Sequence, residues 1–242
     1  GEYDELFSSL FKHPEPYIKV VELLGNKKVG MTREEIISGG ISDNGKLTDI
    51  LKDLEQCGFI RKYAAYGYDS NHAIFQLIDS YTLFYHKFIK ENFKKDERFW
   101  SHNIGKPIYN SWCGLAFERL CLLHVNQIKQ ALGITGVVSG ICSWRVERSN
   151  DLPGAQVDLI LDRDDNVIDL CEMKFTRERF LVTAEYHEKL LNKRARFLEV
   201  ADKSKGVHLI LISAQDAVRN AYIDEFQKVI ALDALFAPYI TI

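Results

Sequence analysis

Two carboxylates and a lysine in the second half of this chain have a spacing that suits phosphoryl chemistry. Asp158 and Glu172 lie on neighbouring apolar segments joined by the turn-forming residues 164–166. A hairpin centred on Asp165 pairs positions whose numbers sum to about 330, which puts Asp158 opposite Glu172. Lys174 follows Glu172 by two residues, so strand alternation puts both on the same face. The spacing therefore predicts one pocket that holds two acids and an amine.

This predicted pocket has the parts that metal-assisted phosphodiester hydrolysis needs. Directly opposed side chains on a sheet lie roughly 5 Å apart, so two carboxylates there repel unless a cation joins them. Mg²⁺, or Mn²⁺ in its place, binds such oxygen ligands, polarises a phosphoryl oxygen and activates water. Lys174 is then predicted to orient that water or to stabilise the developing charge. The alternative is a surface ion pair between Glu172 and Lys174.

A basic segment follows the predicted pocket. Residues 174–205 contain nine Lys or Arg against five Asp or Glu, which favours contact with phosphates. The residues predicted to make that contact are Lys189, Lys193, Arg194 and Arg177. Lys189 and Lys193 are one helical turn apart, so both are expected to face the acidic pair. The alternative is a solvated helix face with pairs such as Glu185 and Lys189.

Composition limits the partners and the compartment. The net charge is −3 over 242 residues, so contact with DNA depends on local basic patches rather than on the summed field. The five cysteines show no zinc-binding spacing, and no apolar run approaches the length of a membrane span. We therefore expect reduced thiols, no membrane partner and a cytoplasmic location.

The first third of the chain predicts a winged helix. Apolar periodicity gives two opening helices, and a Thr32-to-Glu35 capping box introduces a third. A further helix and then a hairpin complete the pattern, and residues 1–93 are assigned to this domain with its flanking helices. The basic residues predicted to contact nucleic acid are Lys46, Lys52, Arg61 and Lys62. Because acids nearly balance them, docking of a protein is an equal alternative.

The remaining two thirds predict a separate α/β (α+β) domain. The polar stretch 94–106 is assigned as a linker, and residues 107–242 as the second domain. Its elements follow the order α-β-β-β-α-β, which predicts a mixed sheet flanked by helices. Gly40–Leu47 nearly matches a phosphate-binding loop, but Leu47 replaces the hydroxyl residue and a helix precedes the loop, so no nucleotide site is predicted in this chain.

Two segments resemble the PD-(D/E)XK restriction-nuclease superfamily, namely "GAQVDLI" from Gly154 and "CEMK" from Cys171. That resemblance implies the same element order and a glutamate on the first core helix. "GLAFERL" from Gly114 looks like that helix, with Glu118 at the matching position, so catalytic and metal roles are implied for Asp158, Glu172 and Glu118. The family's proline does not precede Asp158, and Gln156 stands where many relatives carry a second acid. One-metal and two-metal chemistry both stay open.

The whole layout resembles the C-terminal region of predicted archaeal-type AAA ATPases, on the segments "LKDLEQCGFI", "LIDSYTLFYHKFI" and "GLAFERL". The resemblance implies an N-terminal ATPase module as a partner, with ATP bound only in that module and not in this chain. The leading hypothesis is a Mg²⁺-dependent nuclease acting on DNA. A non-catalytic module that binds nucleic acid or protein is the alternative, and a winged-helix transcription regulator is a third.

Overall fold

The computed structural model is a mixed α/β protein that divides into two compact units. It describes residues 1–43, 45–68, 73–90, 96, 98–149 and 152–239. The first unit is Gly1–Ala64 with Tyr68–Tyr109, and the second is Ala65–Gly67 with Asn110–Ile242. Within the described ranges, every helix is too short or too polar to span a lipid bilayer.

The first unit combines short helices with a small antiparallel sheet. Its helices are α1 (Glu2–Leu10), α2 (Glu15–Gly25), α3 (Arg33–Ser38), α4 (Gly45–Gln56), α5 (Ser80–Phe84) and α6 (Phe99–Asn103). Its strands are β1 (Met31–Thr32), β2 (Ile60–Ala65) and β3 (Ile74–Leu77). Strand β3 pairs with both β1 and β2, so the strand order is β1-β3-β2.

Local chemistry explains where these helices begin. The Thr32 side chain accepts a hydrogen bond from the Glu35 amide, and the Glu35 carboxylate accepts one from the Thr32 amide, which confirms the predicted capping box. Asp79 caps α5 by accepting from the Thr82 amide at 2.7 Å. A π-helix at Tyr85–Ile89 follows α5 directly.

Helix α6 lies inside the stretch 94–106, and the division between the units falls within the next helix. That helix is α7 (Pro107–Leu123), and α8 (Val125–Leu132) follows it. His124 lies between these two helices. Gly133 ends α8 with a positive φ of 75°, as a glycine just after a helix predicts.

The second unit is built on a five-stranded mixed sheet. Its strands are β4 (Ser139–Val146), β5 (Ala155–Arg163), β6 (Val167–Lys174), β7 (Gly206–Ser213) and β8 (Phe226–Ala231), and α9 (Ala184–Leu198) connects β6 to β7. The order is β4-β5-β6-β7-β8. The β4-β5 and β5-β6 pairs are antiparallel, whereas β6-β7 and β7-β8 are parallel. The predicted element order α-β-β-β-α-β is therefore present.

Two apolar cores lie on opposite faces of this sheet. One joins Phe117 of α7 and Ile128 of α8 to Cys171 and Met173 of β6. The other joins Leu190 and Phe197 of α9 to Ile168 and Leu170 of β6. Since neighbouring residues of a strand point to opposite faces, Glu172 and Lys174 belong to the face that α9 covers.

The β5-β6 hairpin has the predicted register. Leu159 pairs with Cys171 and Asp162 pairs with Ile168, so the paired numbers sum to 330 as expected. Asn166 occupies the turn with a φ of 64°, a conformation that asparagine tolerates better than most residues. The pairing runs no further than Leu159–Cys171, and Asp158 and Glu172 lie one step beyond that last pair.

A β-bulge in β5 changes the surroundings of Asp158. Cys142 of β4 pairs with Ile160, but Trp144 pairs with Val157. One residue of β4 therefore faces two residues of β5, Asp158 and Leu159. Val157 and Ile160 accordingly share one apolar core, which strict alternation would not allow.

Candidate functional site

Glu172 is the centre of the candidate site. It lies on β6 with only 8% of its surface exposed. Lys174 Nζ lies 2.7 Å from Oε1, and Lys193 Nζ lies 2.5 Å from Oε2. The Tyr186 hydroxyl also donates to Oε1 at 2.7 Å. Each carboxylate oxygen is therefore held by an ammonium group, and one also accepts from a phenol.

Helix α9 supplies two of these three partners. Tyr186 and Lys193 are seven residues apart, which is two turns and thus one face of the helix. The helix is fixed at its start by Thr183, whose side chain accepts from the Tyr186 amide. Leu190 lies between them along the helix and is buried in the core. The same packing that buries Leu190 therefore brings both polar side chains to Glu172.

Charge controls the protonation of the site. Burial alone would raise the pKa of Glu172, but the ammonium groups of Lys193 and Lys174 outweigh that effect and lower its pKa to about 2. Burial and the nearby carboxylate raise the pKa of Tyr186 far above its ordinary value. At neutral pH the carboxylate is therefore ionised and the phenol keeps its proton.

A cavity of about 610 Å³ opens beside this cluster. Glu172, Lys174 and Lys193 form part of its wall, and Gly154 and Gln156 form another part. Lys189 also lines the cavity, although its ammonium pairs with the exposed Glu185 at 2.7 Å. The expected pair of Lys189 and Glu185 is thus present, while Lys193, one turn along, reaches the acid.

Asp158 and Glu118 have different surroundings from Glu172. Asp158, at the bulge, is half-buried, and its Oδ1 accepts a 2.5 Å hydrogen bond from Gln156 Nε2. Glu118 lies on α7, the helix that packs on the other face of the sheet from α9. The structure brings Glu172, Lys174 and Lys193 together, and neither Asp158 nor Glu118 is among the residues lining their cavity.

These carboxylates do not fit a metal ion as they are arranged. A hard divalent cation needs carboxylate oxygens that point toward it, and ammonium groups hold both oxygens of Glu172. Among the residues that the structure describes, no three His, Cys, Asp or Glu side chains are grouped to hold a metal. Binding of Mg²⁺ or Mn²⁺ through Asp158, Glu172 and Glu118 stays a prediction.

The other basic residues predicted to contact phosphates differ in their exposure and in their contacts. Arg177 is exposed just after β6, and Arg194 Nη1 lies 3.9 Å from Glu225. In the first unit, Lys46, Lys52 and Lys62 are exposed. Arg61 is engaged within the unit, since it donates to Gln76 and stacks over the ring of Tyr63.

Tyr186 was not predicted from the sequence. Lys193 was expected both to contact phosphate and to face the acidic pair, and the structure places its ammonium on Glu172. The only sequence signal for Tyr186 is its seven-residue spacing from Lys193 on a predicted helix. That signal becomes informative only once the helix is known to cover the face of Glu172.

Known proteins do not assign this site to a family. Comparisons with protein-family models, with curated proteins and with solved structures found no match to the chain. The resemblances to restriction nucleases and to AAA ATPases therefore stay predictions.

Proposed function

We propose that the second unit is a restriction-nuclease-like module that hydrolyses nucleic-acid phosphodiesters. The observation that carries this proposal is the core α7-β4-β5-β6-α9-β7, in which β6 pairs antiparallel with β5 and parallel with β7. In that core, β6 presents Glu172 and Lys174 in one cavity. The resemblance to restriction nucleases predicts an acid and a lysine on this strand, and Glu172 and Lys174 lie there.

The charges of the cavity favour a phosphate ligand. Two ammonium groups neutralise one buried carboxylate, so the cluster of Glu172, Lys174 and Lys193 carries one excess positive charge. A phosphate oxygen is a good acceptor for ammonium groups, and a lysine at this position is suited to stabilise charge that develops during displacement. Catalysis would still require Glu172 to release at least one ammonium group.

A winged helix is proposed for the first unit. The order α2-β1-α3-α4-β2-β3, with the sheet order β1-β3-β2, supports it. The exposed Lys46 and Lys52 on α4 make DNA contact one possible role, and docking of the expected ATPase module is the other. Arg61 supports neither role directly, because it already binds Gln76.

A second candidate function is favoured because ammonium groups already contact both carboxylate oxygens of Glu172. With both oxygens held by Lys174 and Lys193, the second unit is suited to bind a phosphate backbone without cleaving it. In that case the unit is a non-catalytic nucleic-acid-binding module, and the same lysines supply the affinity.

Nicking of a supercoiled plasmid in Mg²⁺ or Mn²⁺ separates the two candidates. The proposed nuclease nicks the plasmid, and Glu172→Gln and Lys174→Met abolish nicking. Glu185→Gln is the matched control, because Glu185 lines the same cavity but its side chain is 79% exposed. It should leave nicking unchanged.

Two outcomes contradict the nuclease proposal. DNA binding without nicking in either metal, weakened by Lys174→Met, would favour the non-catalytic module. Nicking that persists in Glu172→Gln would come from another site or from a contaminant.

A further inference from the structure

Tyr186 contacts both of the charged groups that β6 presents in the cavity. Its hydroxyl donates to Oε1 of Glu172 at 2.7 Å. The ammonium of Lys174 lies 2.7 Å from the same oxygen and 5.2 Å from the centre of the Tyr186 ring. That distance is within the range of a cation–π contact. The phenol, the carboxylate and the ammonium therefore form a set in which each group contacts the other two.

The ring of Tyr186 is itself held in place by packing. The ring of Phe180 meets it edge-on, with the ring centres 5.3 Å apart and the ring planes at 86°. At the start of α9, the Tyr186 amide donates to the Thr183 hydroxyl at 3.2 Å, and the side chain packs against the core that contains Leu190. Tyrosine has only two side-chain torsions, so these contacts leave the ring little freedom.

The ammonium of Lys174 depends more on its neighbours for a fixed position. Lys174 is the last residue of β6, and 32% of its side chain is exposed. The stem of a lysine is a flexible chain of four carbons, and ordering it for a ligand costs rotamer entropy. A fixed ring and a fixed carboxylate oxygen beside the ammonium reduce that cost, because they restrict the stem before the ligand arrives.

We propose that Tyr186 is a positioning residue, which holds the ammonium of Lys174 at the cavity wall for contact with a nucleic-acid phosphate. The inference deepens the proposed function and rests on it for the identity of the ligand. The ring attracts the ammonium directly, and the hydroxyl orients the Glu172 oxygen to which that ammonium is bound. An ammonium group carries three N–H donors, so Lys174 can bind Oε1 and a phosphate oxygen together. The ion pair with Glu172 stays intact.

A double-mutant cycle in DNA binding tests the inference. The full chain is titrated against a fluorescein-labelled DNA duplex in EDTA, so that cleavage does not disturb the measurement, and fluorescence anisotropy gives the dissociation constant. We expect Tyr186→Leu to weaken binding between about two- and thirtyfold, the range that a cation–π contact supplies. In the Lys174→Met background the same substitution should have no further effect, because the amine that Tyr186 positions is absent.

The salt dependence of the affinity separates positioning from a general loss of structure. Loss of one phosphate contact lowers the slope of log affinity against log salt by about one. Lys174→Met should show that change, and Tyr186→Leu should lower the slope in the same direction by no more than that amount. Tyr186→Phe keeps the ring and loses the hydroxyl, so its affinity should lie between those of the wild type and Tyr186→Leu. It provides a second test if the leucine variant folds poorly.

Tyr222→Leu is the matched control. The ring of Tyr222 also packs against α9, with its centre 4.9 Å from that of His187. Tyr222 is not among the described residues that line the cavity. The variant therefore loses a similar aromatic contact on the same helix, and it should keep the affinity and the salt slope of the wild type.

The inference is overturned if Tyr186→Leu and Tyr186→Phe bind the duplex as tightly as the wild type, or if Tyr186→Leu weakens binding equally in the Lys174→Met background. It is also overturned if Tyr222→Leu weakens binding as much, or if the wild type binds no duplex. Failure of the nuclease proposal alone looks different, because the plasmid then stays intact while the cycle still gives the expected coupling.

Discussion

Acidification should remove the charge of Glu172 only at unusually low pH, and the stability that depends on this charge should disappear over a defined interval. The pKa of Glu172 is about 2 in the folded protein, against an ordinary value of 4.5. Because the folded value is the lower one, the stabilising contribution is fully present above pH 4.5. It is lost as the pH falls toward 2.

The size of the effect follows from that pKa difference. One pKa unit corresponds to about 1.4 kcal/mol, so the ionised Glu172 contributes about 3 kcal/mol to the free energy of unfolding at neutral pH. About 2 kcal/mol of this contribution is lost by pH 3, because the unfolded chain is then almost fully protonated at this position and the folded one is not. Most of the remainder is lost between pH 3 and pH 2, as the carboxylate of the folded protein itself becomes protonated.

Urea denaturation at pH 7 and at pH 3 measures this contribution when the wild type is compared with Glu172→Gln. Other carboxylates titrate in both proteins, so the difference between the two isolates Glu172. We expect the wild-type advantage to shrink by about 2 kcal/mol on acidification. Glu185→Gln, which changes an exposed carboxylate on α9, should show no comparable change.

An equal loss of stability in wild type and Glu172→Gln between pH 7 and pH 3 would refute this reasoning. It would mean that Lys174 and Lys193 do not hold the folded carboxylate in its ionised form. A variant more stable than the wild type at pH 7 would show that desolvation of the carboxylate exceeds the attraction of the two lysines.

Three further variants have defined outcomes in urea denaturation. Tyr186→Phe removes the hydroxyl that donates to Glu172 and should cost about 1.5–3 kcal/mol, the range for hydrogen bonds to charged groups; a cost near zero would contradict that contact. Thr183→Ala removes the cap of α9 and should cost about 1 kcal/mol, and Thr183→Ser should restore most of it. Arg163→Met leaves Asp169, which is 1% exposed, without the guanidinium 3.2 Å away and should cost about 3 kcal/mol. Adding Asp169→Asn should recover much of that loss, and no recovery would argue against the buried pair.

Interactions between residues close in sequence explain several helix ends and one turn of the fold. The capping box at Thr32 and the Asp79 cap depend on side chains within a few residues of each other. The end of α8 at Gly133 depends on the freedom of glycine to adopt a positive φ. The turn at Asn166 likewise determines the hairpin register, since pairing of antiparallel strands propagates from the turn. Leu159 opposite Cys171 follows from that turn alone.

The surroundings of Asp158 could not be predicted in the same way. The bulge at Asp158 and Leu159 arises from the pairing of β5 with β4, because Trp144 pairs with Val157 and Cys142 with Ile160. Nothing within the β5-β6 hairpin requires an extra residue there. The hairpin alone predicts Asp158 opposite Glu172, and the bulge beside Asp158 is introduced by the third strand, β4.

The core element order of the second unit, the turn at residues 164–166 and the shared face of Glu172 and Lys174 follow from the sequence, because each depends on periodicity and short-range geometry. The groups that surround Glu172 depend on tertiary packing. Tyr186 and Lys193 reach it because burial of Leu190 and Phe197 packs α9 against the sheet, and packing between elements distant in sequence leaves no local pattern. The electrostatic state of the acid is therefore a property of the folded unit.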